Sequence, residues 1–259
     1  MPKTQIVLPA RLASTRLPEK LLQKVAGKSV LQHTWEAAGR ARCAADGVIV
    51  AVDHPRMAEE VQSFGGRWTM TPADCPSGTD RIAAVADAFP TTEIFVNVQS
   101  DEPEIDPEAI DAVADLLIAH PEAQMATAGT PIRDSETLAN PNVVKIVLAP
   151  DAGSAGQGRA VYFSRAPVPF DRDGQLAERL AAEPPVYWHH LGLYAYRRDF
   201  LKWFAASPPS TLEQIERLEQ LRAIEAGKPI VVTRVARAQS GIDTAEDLRA
   251  FRLRQEQVA

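Results

Sequence analysis

The sequence predicts an α/β fold with a mostly parallel central sheet, helices on both of its faces and a smaller β-rich lobe. Three observations carry this. Apolar runs of strand length alternate with amphipathic stretches of helical period early in the chain, the order that builds a parallel sheet covered on both sides. A chain of 259 residues with 45% hydrophobic content is long enough for one large domain with an added lobe. From about Thr130 to Leu191 the pattern changes to shorter strands, a Gly-rich insert DAGSAGQG and the run RAPVPFDRDG. The whole chain, 1–259, is expected to form a single domain, with this lobe at about 130–191.

Along the chain, Gln5–Leu8 is a short apolar run that reads as a buried first strand, and Val30–Ala41 follows as an amphipathic helix. Gly47–Val52 is the next strand. Pro55–Phe64 is a helix opened by proline, whose fixed φ and missing N–H suit a first helical position. Strand Arg67–Met70, helix Gly78–Phe89, strand Ile94–Val98 and helix Pro107–Ala119 continue the alternation. Met125–Gly129, Val143–Leu148, Arg159–Phe163 and Leu191–Tyr196 read as strands, after which helices resume at Arg198. In Leu212–Ala226, Leu212, Ile215, Leu218 and Leu221 recur at helical spacing. Glu213, Glu216 and Glu219 form a neighbouring stripe that reads as a solvated face. Ile230–Val235 is the last strand. Asp243 stands as the N-cap of a final helix, with Glu246 completing a capping box.

Charge and composition exclude several classes of function. The formal net charge is −6, so no overall basic field is available to hold nucleic acid. Cys43 and Cys75 are the only cysteines, which is neither a disulfide framework nor metal-ligand spacing. The N-terminus MPKTQIVLPARL lacks the apolar run of a signal peptide, and a reducing cytoplasm is the expected location. No apolar stretch approaches the roughly 20 residues that span a bilayer.

Against that acidic background, the loop Pro9–Lys20, PARLASTRLPEK, gathers Arg11, Arg16 and Lys20 directly after the first strand. In open parallel sheets ligands bind beyond the carboxyl ends of the strands. The loop has neither G-x-G-x-x-G nor G-x-x-x-x-G-K-[ST], so anion binding there falls to side chains rather than to glycine backbone. Arginines fork onto phosphate oxygens, and a lysine offers a movable point charge. The second stretch is VNVQSDEP, a strand ending in Gln99, Ser100, Asp101 and Glu102. Carboxylates facing a polyphosphate repel it unless a divalent cation lies between, and Mg²⁺ is commonly held by one or two carboxylates plus phosphate oxygens. Turn chemistry alone also explains Asp-Glu-Pro at a strand end. Asp243 supplies a second acid, whether or not it also caps the last helix.

These residues carry a resemblance. PARLASTRLPEKLLQKVAGKSVLQHTWEAA, PADCPSGTDRIAA, VNVQSDEP, VVKIVL, VYFSRAPVPFDRD, HHLGLYAYRRDFL, LEQLRAIEAGKPI and GIDTAEDL resemble, in order and over nearly the whole chain, the landmarks of the 3-deoxy-manno-octulosonate cytidylyltransferases, or CMP-Kdo synthetases. The resemblance implies a Rossmann-like nucleotidyltransferase fold, Mg²⁺ dependence and a homodimer. It also implies transfer of CMP from CTP to 3-deoxy-D-manno-octulosonate (Kdo), with release of pyrophosphate, for lipopolysaccharide biosynthesis. A cytidylyltransferase for 8-amino-Kdo or sialic acid, or a noncatalytic nucleotide-binding protein, stands as the alternative.

Carried over position by position, the triphosphate contacts fall on Arg11, Arg16 and Lys20. Nucleoside contacts fall on Ser77, Arg81 and Gln99, with backbone around Leu8 and Ala10 reading the cytosine edge. Asp101 and Asp243 match the metal-binding acids. Arg165, His190, Glu219 and Gln220 match the sugar-acid contacts. Taken alone, Ser77 reads as a helix N-cap, Arg81 as a surface charge and Arg165 as a partner of Asp171 or Asp173. Of His189 and His190, adjacent on a strand, only one faces any given side. The chain departs from the family at Ser100, where glycine is usual, at Phe170 in place of tryptophan, and in a longer stretch at Ala152–Gly158. If the position of Ser100 requires a positive φ or close substrate approach, its side chain brings strain there.

Overall fold

The computed structural model describes residues 2–151, 157–236 and 241–257. The chain divides into two compact units, Met1–Asp111 with Gln239–Ala259, and Ala112–Ala238. The first begins with β1 (Thr4–Ala10), then a small hairpin of β2 (Lys24–Val25) and β3 (Lys28–Ser29), then α1 (Val30–Ala38). β4 (Val48–Val52), α2 (Pro55–Ser63), β5 (Arg67–Met70), α3 (Gly78–Ala88) and β6 (Ile94–Asn97) follow. The four long strands lie in the order β5-β4-β1-β6, every pair parallel. All five residues of β4 are buried, as a parallel strand covered on both faces requires. The helices start where the sequence supplies caps. Ser29, His54 and Ser77 each accept a backbone N–H of the first turn, and Pro55 opens α2.

α4 (Pro107–Ala119) carries the chain into the second unit, which contains β7 (Met125–Pro131), α5 (Ser135–Ala139), β8 (Lys145–Pro150) and β9 (Gln157–Ser164). α6 (Leu176–Ala181), β10 (Trp188–Arg197), α7 (Arg198–Ala206), α8 (Thr211–Glu216), α9 (Leu221–Glu225) and β11 (Ile230–Arg234) complete it. Its sheet is mixed. β7 pairs in parallel with β11 and antiparallel with β10, while β9 runs antiparallel to both β11 and β8. β8 also reaches the start of β10, so these five strands close on themselves. At Gly158 a Cβ would lie 2.5 Å from the Ala149 carbonyl oxygen, so the β8–β9 pairing admits only glycine there without a shift. Of the longer-than-usual stretch at Ala152–Gly158, residues 152–156 lie outside the described residues. α10 (Ala245–Glu256) returns the chain to the first unit.

Three expectations are corrected. The hairpin β2–β3 is absent from the sequence reading because its turn residues, Ala26 and Gly27, both adopt positive φ, and Ala-Gly lacks the Asn-Gly signal. Leu212–Ala226 is two short helices, because Arg217 takes φ 56 and ends α8. That break shifts the helical phase: Ile215 is 73% exposed, whereas Glu213 is buried in an ion pair with Arg222 at 2.6 Å. The acidic stripe is therefore not a solvated face. In α10 the N-cap is Thr244, with Asp247 closing the capping box, rather than Asp243 with Glu246.

Candidate active site

Because β4, β1 and β6 are parallel and in register, the loops after Val52, Ala10 and Asn97 leave the same edge of the sheet. They are sewn together there. The Leu12 N–H donates to Asp53 Oδ1 at 3.0 Å, and the Ser100 hydroxyl donates to the Pro9 carbonyl at 2.5 Å. Thr34 Oγ1 donates to the Ser100 carbonyl at 2.9 Å, and the Ile242 N–H to that of Asp101 at 2.8 Å. The result is a cleft of about 610 Å³, within the range of small-molecule sites. Arg11, Arg16, Lys20, Gln99, Asp101 and Asp243 line it, together with Ser14, Thr15, Glu102 and Gly241. The two motifs singled out in the sequence thus meet at one rim, 81 residues apart between Lys20 and Asp101.

Electrostatically the cleft is organised around Lys20. Its ammonium donates to Asp101 Oδ2 and, at 2.9 Å, to Asp243 Oδ1. Burial by itself would lower the Lys20 pKa, but attraction to Asp101 and the hydrogen bonds to both carboxylates outweigh it and hold the pKa above the ordinary lysine value. Arg16 reaches the same Asp243 oxygen at 2.9 Å. Asp243 is itself fixed from below, since its backbone N–H donates to the Asp247 carboxylate at 3.0 Å. Burial, with the Asp101 charge beside it, pushes Glu102 up to about 8. Two carboxylates converging on one cation are the hard oxygen donors that a Mg²⁺ ion takes, and Lys20 marks where a positive charge is stable. Among the described residues no cluster of three or more His, Cys, Asp or Glu is poised to hold a metal. An ion held by Asp101 and Asp243 would therefore draw further oxygens from its ligand.

The expected nucleoside contacts differ among themselves. Leu8 and Ala10 are fully buried, backbone included, so neither presents surface to a ligand in this structure. Ser77 caps α3 and its hydroxyl donates to Asp80 Oδ2 at 2.6 Å. Arg81 is not a surface charge. It is 1% exposed, donates to Thr71 Oγ1 and stands 3.6 Å from Asp53, whose other oxygen holds Leu12. Asp53 is a residue that sequence reasoning missed. Its signal was present, an acid directly after the apolar strand VIVAV, as Asp101 follows the β6 strand. Ser100 does not fall among the described non-glycine residues with positive φ, and it is 4% exposed with its hydroxyl spent on Pro9. Serine therefore brings no left-handed strain to this position.

In the second unit, His190 and Gln220 come together and Arg165 is held separately. Thr127 Oγ1 donates to the Leu193 carbonyl at 2.8 Å, so toward His190 Nε2, 3.1 Å away, it accepts. That assigns the Nε2–H tautomer, leaving Nδ1 to accept from Gln220 Nε2 at 3.5 Å. Burial, with His189 adding to it, pushes His190 down to about 3, in keeping with a neutral ring. Glu219, beside Gln220, is partly exposed. Arg165 pairs with neither Asp171 nor Asp173; its guanidinium donates to the carbonyls of Glu216, Pro141 and Arg217 at 2.7, 3.0 and 3.4 Å.

Known proteins resemble this chain in sequence and fold. Residues 5–230 match the sequence profile of the family described as Cytidylyltransferase. The chain is 60% identical over 252 residues to a 3-deoxy-manno-octulosonate cytidylyltransferase of Rhodopirellula baltica, covering 97% of this chain and 98% of that one. It is 46% identical over 242 residues to the protein of the same name from Solibacter usitatus, covering 93% and 90% of the two chains. A CMP:2-keto-3-deoxy-manno-octonic acid synthetase solved in complex with CTP superposes with a TM-score of 0.88 at 38% identity, over 99% of this chain and 100% of that one. On the parallel strands of its first unit, its cleft at the strand ends and these relatives, the chain belongs to the cytidylyltransferase family, within the 3-deoxy-manno-octulosonate cytidylyltransferases.

Proposed function

We propose that the protein transfers CMP from CTP to the anomeric hydroxyl of Kdo, releasing pyrophosphate, as a Mg²⁺-dependent homodimeric enzyme of the cytoplasm serving lipopolysaccharide biosynthesis. The observation that carries this reading is the convergence of Arg16, Lys20, Asp101 and Asp243 in one cleft at the carboxyl ends of β1 and β6. Its cations suit a triphosphate and its acids suit a divalent ion. The relative solved with CTP has the same fold over the whole chain.

The residues divide the work by position. Arg11 and Arg16, on the exposed loop after β1, meet the outer phosphates that depart as pyrophosphate. Lys20, deeper in the cleft, follows charge as it grows on the α-phosphoryl group. Asp101 and Asp243 would hold Mg²⁺, which when bound neutralises phosphate charge and lowers the pKa of an oxygen it contacts. Arg165 receives the carboxylate of the sugar acid. The anomeric oxygen attacks the α-phosphorus in line with the leaving pyrophosphate, and no protein nucleophile is needed. The chemistry is positioning plus charge neutralisation. The test is pyrophosphate release from CTP and Mg²⁺ with a panel of acceptors. Kdo is expected to be the preferred one. Preference for 8-amino-Kdo or sialic acid would move the assignment to that acceptor, and CTP binding without release for any acceptor would leave a noncatalytic nucleotide-binding protein.

A further inference from the structure

Arg165 directly follows β9, and both its backbone and its guanidinium are held by the second unit. Its backbone N–H donates to Glu216 Oε2 at 2.9 Å, while the Ser164 hydroxyl donates to Glu216 Oε1 at 2.6 Å. One carboxylate thus holds two successive residues at the strand's end. Behind them, Lys145 is fully buried and spends its ammonium on three carbonyls, those of Asn140, Val143 and Arg165, at 3.0, 2.6 and 2.6 Å. The guanidinium is fixed as well. α8 ends at Arg217 in the left-handed region, φ 56 and ψ 49, and the carbonyls of Glu216 and Arg217 are turned to the Arg165 side chain instead of to another helical turn.

The count of donors gives this arrangement its meaning. A guanidinium has five N–H groups, and three of those of Arg165 go to carbonyls. One N–H remains on each terminal nitrogen, and the partners of the other three are neutral carbonyls. Two spare donors on one planar guanidinium suit a planar carboxylate. A clamp of this kind is effective only if the fork is already aimed before the ligand arrives.

We propose that Glu216 is a positioning residue for acceptor binding: through its carboxylate and its carbonyl it presets the Arg165 fork to receive the carboxylate of the sugar acid. This rests on the reading of Arg165 as the acceptor clamp. Glu216 lies within the expected acidic stripe, but its role comes from the bonds it makes across to β9. A glutamine there can keep its oxygen for the Arg165 N–H and turn its NH₂ to the Ser164 hydroxyl, which also accepts, but it loses the carboxylate charge that makes both bonds strong.

The test is steady-state kinetics with CTP and Kdo for wild type, Glu216→Gln, Arg165→Ala and the double variant, below their melting temperatures. Glu216→Gln is expected to raise the KM for Kdo about tenfold and to leave the KM for CTP within about twofold. In the Arg165→Ala background the same change is expected to add nothing, since the residue it acts through is gone. A purely structural Glu216 would lower the melting temperature and leave both KM values alone, which overturns the proposal. So does a Kdo effect of equal size in both backgrounds. If Arg165→Ala itself leaves the Kdo KM unchanged, the clamp reading falls first and this inference with it. Should Glu216→Gln not fold, Ser164→Ala frees one of the two bonds on the Glu216 carboxylate and is expected to raise the Kdo KM about threefold, again only when Arg165 is present.

Discussion

Replacing Lys20 with methionine should make the protein bind a divalent cation more tightly, not less, when no nucleotide is present. The ammonium of Lys20 lies between Asp101 and Asp243, where a metal ion would sit, so any ion entering the free enzyme has to displace it. A hydrogen bond between charged groups is worth about 1.5–3 kcal/mol. The Asp243 bond is discounted because that side chain is 41% exposed, whereas Lys20 is only 12% exposed. A net of about 2–3 kcal/mol corresponds to roughly 30- to 150-fold in affinity. Mn²⁺ is a convenient probe, since the free ion is counted directly by its paramagnetic resonance signal. Lys20→Met is expected to bind Mn²⁺ without nucleotide roughly 30- to 150-fold more tightly than wild type, while wild type takes it up on addition of CTP, whose phosphates give Lys20 another partner. In the absence of metal the variant should melt about 4–12 °C lower, its two acids now facing each other, and Mn²⁺ at a hundred times Kd should restore about 2.7 kcal/mol. Equal Mn²⁺ affinity of the two proteins without nucleotide would refute the reasoning.

Asp101→Asn keeps an oxygen for Lys20 to bond, so melting should change little while turnover with CTP, Kdo and Mg²⁺ falls about 10²–10³-fold; near-normal metal-dependent turnover would remove Asp101 from the metal site. Ser100→Gly deletes the hydroxyl bond to Pro9 and loosens the unfolded chain, so stability should drop about 1–2 kcal/mol in urea unfolding, with lower turnover. A rise in turnover would show that the serine does obstruct the site. His190, held neutral with its pKa near 3 against an ordinary value of 6.5, binds fewer protons folded than unfolded between those two values. Stability should therefore fall as pH drops from about 6.5 to 5, by up to about 1.4 kcal/mol per pH unit, and His190→Gln should flatten that slope. An unchanged slope in the variant would assign the acid sensitivity to other groups.

What was legible in the sequence was the part written in local pattern. The strands of the first unit, buried on both faces, read as plain apolar runs, and the polar residues that end β1 and β6 are the ones that meet in the cleft. Arg81 and Glu213 read as surface charges because their partners, Asp53 with Thr71 in one case and Arg222 in the other, are brought to them by folding. A stripe on a helical wheel assumes an unbroken helix, and the single left-handed residue Arg217 invalidates it without any glycine to announce it. Asp243 and Thr244 show how adjacent candidates divide two roles that the sequence had given to one. Thr244 caps α10, which leaves the Asp243 side chain free for Lys20 and Arg16.

The acid pair has a consequence for how an active molecule comes into being. Lys20 and Asp243 are 223 residues apart in the chain, and the first unit is discontinuous, taking up the polypeptide again only after the second unit has been traversed. By loop-closure entropy alone, bringing two such distant points together costs on the order of 5 kcal/mol, from (3/2)RT ln n. During synthesis the cationic loop and Asp101 therefore emerge long before their last partner. Until Asp243 and the helix behind it have left the ribosome, the nascent chain lacks one of the two acids that meet Lys20. On the proposed reading, competence to bind a metal–nucleotide pair would therefore arrive late, when Asp243 and α10 dock against the first unit's strands.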